Sequence, residues 1–188
     1  MAPEEVVLER TVEVPRTDAC IAVVSDTHSR PHSALVAQLE AVAPVLVLHA
    51  GDVGRLTVLD ELASVAPVLV VRGNVDERSS ALPDHIALTL TREAHPVLRV
   101  LLTHYAIQRM RLTAAARARA FEHGAQLVVC GHSHVPFVGK DGALALFNPG
   151  AAGPRRFRLP ITFGILTLSD RGVALGHRNL ETGAQWRP

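Results

Sequence analysis

The chain has 188 residues, of which 48% are hydrophobic, and 19 basic against 18 acidic side chains leave a net charge of +1. That balance argues against a dedicated basic nucleic-acid surface or an acidic tail, and the length fits one domain with short additions. Two cysteines in a chain of this size exclude a disulfide framework.

Residues 1–19 read as an extension ahead of a single domain over 20–188. Glu4 and Glu5 stand where a secretory leader needs positive charge and an apolar stretch, so a cytoplasmic location is expected. Residues 6–14 alternate weakly and can add an edge strand, which Pro15 ends. Residues 21–24, 45–48 and 68–71 then read as buried strands, separated by helical stretches at 32–42 and 55–65. This order is the pattern of right-handed βαβ crossovers around a parallel sheet. Residues 75–85 are polar, contain Pro83 and read as a loop. Strands at 86–90 and 97–102 follow, with a turn at 93–96. An Ala- and Arg-rich helix is predicted at 110–123, stopped by Gly124, with a strand at 127–130 after it. The remainder predicts short antiparallel strands at 143–147, 162–168 and 172–178, with turns at Asp141-Gly142 and 170–172. Cys20 and Cys130 fall in predicted strands and read as reduced core thiols. The apolar runs fall short of the about 20 residues that cross a bilayer, so no membrane partner is expected. An α/β first half and a β-rich second half predict two facing sheets flanked by helices.

Metal-capable side chains cluster just past the apolar runs. Asp26 and His28, Asp52, Asn74, His104, and the pair His132 and His134 each follow a predicted strand. Side chains at the carboxyl ends of neighbouring parallel strands share one crevice. In extended backbone, Asp26 and His28 would face the same side. Gly51 before Asp52 and Gly73 before Asn74 allow tight turns. The donors are nitrogen and oxygen with no thiolate, which favours Mn²⁺, Fe, Zn²⁺, Ni²⁺ or Co²⁺ over a zinc-thiolate site, with Mg²⁺ also compatible. Two divalent ions bring four positive charges, and Asp26, Asp52 and a bridging hydroxide remove three. The surplus suits phosphate and favours hydroxide near neutral pH. Among the remaining residues, Arg30 and Tyr105 are candidate substrate contacts, and His49 inside a strand run reads as a histidine that orients a ligand. Arg155 and Arg156 read as solvated surface. His32, His85, His95, His123 and His177 receive no role.

The series Asp26-Thr27-His28, Gly51-Asp52, Gly73-Asn74, Thr103-His104, Gly131-His132-Ser133-His134 and Asn148-Pro149-Gly150 resembles the calcineurin-like metallophosphoesterase superfamily. It is most similar to the small prokaryotic phosphodiesterases of that group, over about residues 19–178. The resemblance implies a four-layer α-β-β-α sandwich of two mixed sheets, with two divalent ions, Mn²⁺ first, at one edge. One ion would take Asp26, His28, Asp52 and His134; the other would take Asp52, Asn74, His104 and His132, with Asp52 as the bridge. It implies hydrolysis of a small phosphoester by a metal-bridging hydroxide, with Asp52, Asn74 and His132 serving catalysis. Many members carry a proton-donating His after the motif Asn, where this chain has Val75. Its absence favours a phosphodiesterase over a phosphomonoesterase. Asp76 beside it is expected to order its loop. Asn148 carries no implied ligand and is expected to shape the rim. A retromer subunit of similar fold works by protein contact, so a binding scaffold is the alternative of another class. The family habit also implies a homodimer or homotetramer.

Overall fold

Alternate residues of one strand serve two different cores. In the segment Ala19–Val24, Ile21 and Val23 face one apolar cluster while Ala22 and Val24 face another. A strand buried on both faces needs a layer on each side, and this requirement organises the molecule. The structure is a computed structural model that describes residues 5–77 and 82–187. Residues 78–81 of the predicted loop, 1–4 of the predicted extension and Pro188 lie outside the described residues.

In chain order the elements begin with β1 (Val7–Glu13), β2 (Ala19–Val24), α1 (Leu35–Val42), β3 (Leu46–His49), α2 (Thr57–Ala63), β4 (Val68–Val70), β5 (His85–Arg92) and β6 (His95–Thr103). They continue with β7 (Ile107–Gln108), β8 (Arg111–Leu112), α3 (Ala114–Glu122), β9 (Leu127–Val129), β10 (Phe137–Asp141), β11 (Leu144–Asn148), β12 (Thr162–Ser169), β13 (Gly172–Asn179) and β14 (Gln185–Trp186). One six-stranded sheet runs β1-β5-β6-β9-β11-β10 and the other β14-β13-β12-β2-β3-β4. Both are mixed. β2, β3 and β4 are mutually parallel, as are β6, β9 and β11, while the hairpins β5–β6 and β12–β13 are antiparallel.

The sheets face each other across Ile21, Val23, Leu46, Leu48, Ile86, Leu88, Val100, Leu102, Val129 and Phe147. α1 and α2 cover the outer face of the second sheet through Leu35, Leu39, Val58 and Leu62. α3 covers the first sheet through Ala116 and Ala120 against Leu101, Val128 and Leu146. The result is the four-layer α-β-β-α sandwich.

Several boundaries differ from the sequence reading. α1 begins at Leu35 instead of residue 32, because His32 Nδ1 accepts the Ala34 N–H (3.2 Å) and its own N–H is tied to Ala152 O (2.8 Å). The helix predicted from 110 begins at Ala114, where Thr113 caps it through the Ala116 N–H. The stretch before it closes a small hairpin of β7 and β8, with Arg109 and Met110 in left-handed turn conformation (φ 49° and 65°). The predicted turn at 93–96 is tighter, with Glu93 and Ala94 at φ 53° and 63°, and His95 and Pro96 already paired in β6. Residues 143–147 were expected among antiparallel strands, but β11 is parallel to β9 and pairs antiparallel only with β10. The N-terminal strand forms as expected and pairs parallel to β5 at the sheet edge. Among the described residues no helix is long and apolar enough to cross a membrane.

Candidate metal centre

Five strand ends meet at one edge of the sandwich. β2 delivers Asp26 and His28, β3 delivers Asp52, β4 delivers Asn74, β6 delivers His104, and β9 delivers His132 and His134. Two donor groups are close enough to hold a cation each: Asp26, His28 and His134, and Asp26, Asp52 and His104. His134 Nε2 lies 3.3 Å from Asp26 Oδ1 and 3.3 Å from His28 Nε2. Asp52 reaches both ways, with Oδ1 3.4 Å from His104 Nε2 and Oδ2 3.7 Å from His28 Nε2. Asn74 Nδ2 and His132 Nδ1 are 3.5 Å apart at the outer side, and the His132 ring stands edge-on to His104 at 5.3 Å between centroids. All seven predicted donors are therefore brought together.

The local backbone is not the extended one that the Asp-x-His spacing predicts. Asp26 (φ 54°), His28 (47°), Asp52 (56°), His132 (69°) and His134 (59°) all lie in the left-handed region. These five side chains converge because the chain turns at each of them, and a pleat is not the cause; Asn74 and His104 are not in the left-handed region. Each such conformation costs about 1 kcal/mol or more for a side chain with a Cβ, and surrounding structure must enforce it. Asp76 does much of that. Its buried carboxylate accepts the N–H groups of Val53 (3.1 Å), Gly54 (2.8 Å) and Gly73 (2.8 Å), tying the Asp52 loop to the Asn74 loop. His49 adds to it. Its Nδ1 accepts the Gly51 N–H (3.2 Å) and its Nε2 faces Thr27 Oγ1 (3.1 Å), which donates to Val53 O. Asn148 donates to Gly131 O (2.7 Å) and accepts the Gly150 N–H (2.9 Å), fixing the turn that precedes His132. Gly73 has no room for a side chain, since a Cβ there would run into the Asp52 backbone.

The chemistry of the donor set fits divalent cations. Asp26 Oδ1 and His104 Nε2, both facing the cluster, are buried with no hydrogen-bond partner among the described residues, a costly arrangement unless something else binds them. The 3.4 Å approach of His104 to Asp52 brings charge close without hydrogen-bond geometry. Burial pushes the Asp26 carboxyl up to about 6, against the opposing pull of His104 and Ser25. Burial would raise Asp52 as well, but His104, the Val75 N–H (3.0 Å) and His28 hold it below the ordinary carboxylate range. Burial lowers His28 and His132, and it brings His134 down to about 4 with help from the Arg156 charge. Burial opposes protonation of His104, yet Asp52 and Asp26 raise it above its ordinary value. Burial thus favours the neutral form of three imidazoles, the form that can ligate a cation, beside two carboxylates.

The candidate substrate contacts are placed unevenly. Tyr105 is partly exposed and stands edge-on to His132 at 4.9 Å between centroids. Arg30 is exposed, and among the described residues its side chain makes no hydrogen bond or ion pair; only its N–H is engaged, with Thr27 O (2.9 Å). Arg156, read from sequence as solvated surface, leans over the cluster with Nη2 3.4 Å from His28 Nε2. No periodicity or spacing marks it; a basic pair beside Gly153-Pro154 was the only signal. Arg155 behaves as expected, pairing with Glu181 at the surface. Cys20 and Cys130 are both free thiols.

The sequence profile of the calcineurin-like phosphoesterase superfamily domain matches residues 20–171. The chain belongs to that superfamily. It is 31% identical over 167 residues to a probable metallophosphoesterase of Methanothermobacter thermautotrophicus, covering 87% of this chain and 93% of that protein. Among solved structures, a conserved protein of Streptococcus pneumoniae described as a predicted phosphoesterase superposes with a TM-score of 0.65 at 21% identity, over 90% of this chain and 97% of the other. Vacuolar protein sorting 29 of Entamoeba histolytica, in complex with zinc, gives 0.70 at 20% identity, over 89% and 96%. Members of the superfamily use divalent metals, and the two Asp/His groups of this chain can bind them.

Proposed function

We propose that this protein is a dimetal-dependent phosphodiesterase acting on a small phosphoester, with Mn²⁺ the favoured ion. The observation that carries the reading is Asp52, whose two oxygens face different histidines, His104 and His28, on either side of a shared Asp26. Two divalent ions held by these groups would supply charge for the phosphoryl oxygens and a hydroxide nucleophile near neutral pH. The chain's own residues do the rest. Asp26, His28 and His134 hold one side; Asn74, His104 and His132 hold the other. Asp76 and His49 fix the loops so that the donors need no rearrangement. Val75 leaves no imidazole to protonate a leaving group, so the reaction depends on charge and positioning, which favours diesters with good leaving groups.

The test compares an activated aryl phosphodiester with the matching monoester, after chelation and after return of Mn²⁺. Diester hydrolysis restored by the metal, and faster than monoester hydrolysis, is expected. Faster monoester hydrolysis would favour a phosphomonoesterase on the same residues. The likeness to vacuolar protein sorting 29 supports a second reading, a scaffold of the same fold. One of those structures holds zinc, so bound metal alone does not separate the readings. Loss of all metal-dependent hydrolysis across both substrates, with metal bound, would favour the scaffold.

A further inference from the structure

We infer that Arg156 is the residue that grips the phosphoryl group of the substrate, from the side of the centre where His28 sits. The inference rests on the metal-centre reading above and adds an organic cation to it. Arg156 is exposed, and among the described residues its guanidinium has no carboxylate partner. Its single hydrogen-bond contact, at 3.4 Å, is His28 Nε2. That same nitrogen faces His134 Nε2 at 3.3 Å and Asp52 Oδ2 at 3.7 Å, so it is the lone pair a bound cation takes. Once it is taken, Arg156 has nothing left to donate to and faces a cluster of positive charge. An exposed guanidinium in that position is left to water or to an anion, and its planar fork matches two phosphoryl oxygens.

The placement is built, not incidental. The loop that carries Arg156 is stitched to the Asp26-His28 loop: the Ala152 N–H donates to Ser25 O (2.9 Å) and the His32 N–H to Ala152 O (2.8 Å). Gly153 packs so closely that a Cβ there would sit 2.5 Å from both Asp26 O and Thr27 O. On the far side Arg155 donates to Leu159 O (2.8 Å) and pairs with Glu181, and the Leu159 N–H closes a turn on Arg156 O (3.1 Å). Arg155 is therefore occupied in holding the loop, while its neighbour is free to face the centre. Arg156 also lowers the proton affinity of His28, His132 and His134, so its charge is felt across the donor set. With Val75 standing where many relatives have an imidazole, the arginine offers a charge that needs no proton transfer. It neutralises the phosphoryl oxygens as the leaving group departs.

The experiment is calorimetry with two titrants on wild type, Arg156→Ala and Arg156→Lys. Mn²⁺ is titrated into metal-free protein, and inorganic phosphate into the Mn²⁺-loaded protein. Arg156→Ala is expected to weaken phosphate by about ten- to a hundredfold. Its Mn²⁺ affinity should be unchanged or tighter, because a competing cation is gone. Arg156→Lys keeps the charge but loses the fork, and should fall between. Phosphate affinity within twofold of wild type in Arg156→Ala would overturn the inference. So would a parallel loss of Mn²⁺ affinity in both variants, which marks a loop that merely supports the site. Should Arg156→Ala not fold, the Arg156→Lys titration decides, and a wild-type phosphate affinity there overturns it. If the wild-type protein takes up no Mn²⁺, the metal centre itself fails, a result distinct from any of these.

Discussion

Asp76 is a stringent place to test the account, because it touches no proposed ligand atom yet ties two ligand loops together. Replacing it with Asn keeps size and shape. In the better amide orientation the oxygen takes the Oδ2 position and retains the Val53 and Gly73 N–H groups, now as a neutral acceptor. The amide nitrogen then meets the Gly54 N–H, donor against donor, where Oδ1 accepted at 2.8 Å. A charged acceptor contributes about 1.5–3 kcal/mol per bond, a neutral one about 1, and an unsatisfied buried donor costs about 1–3. One lost and two weakened bonds sum to about 2.5–7 kcal/mol. Urea denaturation of the metal-free protein measures the stability, with the slope checked for constancy. The same change should lower Mn²⁺ affinity about tenfold or more, since the loops of Asp52 and Asn74 lose their common anchor. A stability loss under about 0.5 kcal/mol, with unchanged metal affinity, would refute the idea that this carboxylate holds the site in shape.

Acid should destabilise the metal-free protein through His49. Burial brings its pKa from 6.5 down to about 4, so the unfolded chain takes up the proton first. Stability is fully present above about 6.5 and falls as pH drops toward about 4, by roughly 3 kcal/mol from this group. His49→Gln should flatten that part of a stability-against-pH curve, and an unchanged curve would count against a neutral buried His49. Asp26 runs the other way. Its carboxyl stays protonated up to about 6, so the stability it contributes without metal is present at low pH and lost as pH rises through 6. Mn²⁺ uptake at pH 5.5 should therefore release protons from Asp26 and His104, and fewer at pH 7.5, as seen by calorimetry in buffers of different ionisation heat. Equal release at both values would contradict the assignment. Gly153→Ala should destabilise by about 1–3 kcal/mol, because the nearest atoms the new methyl group meets are backbone atoms of Asp26 and Thr27 that cannot swing aside. Thermal unfolding equal to wild type would show that the loop yields more easily than its packing implies.

The fold was legible where burial has a simple period. Strands β2, β3 and β9 are apolar on both faces and read directly from their runs, and their ends located the donors. Short elements were not legible. β7 and β8 are two residues each and depend on the left-handed turn at Arg109 and Met110, conformations that the Ala- and Arg-rich stretch does not announce. β10 alternates between half-buried and exposed residues at a sheet edge, so its sequence carries little apolar signal. At the site, the residues were readable but the geometry was not. Asp26 and His28 share a pocket because both turn at positive φ, a conformation enforced by partners far away in sequence. Asp76 gave only a weak hint, since its role lies in three backbone N–H groups drawn from two loops. Arg156 gave little more than a basic pair beside Gly153-Pro154, since a surface arginine and one folded over His28 look alike until the loop from Gly153 is placed.

The most direct measurement is a crystal structure of the protein grown with excess Mn²⁺, with anomalous scattering used to locate the ions. Two peaks are predicted, about 3.5–4 Å apart, with an Asp52 oxygen on each. A single peak, or two peaks bound elsewhere on the surface while Asp26, Asp52 and the four histidines stay uncoordinated, would contradict the account.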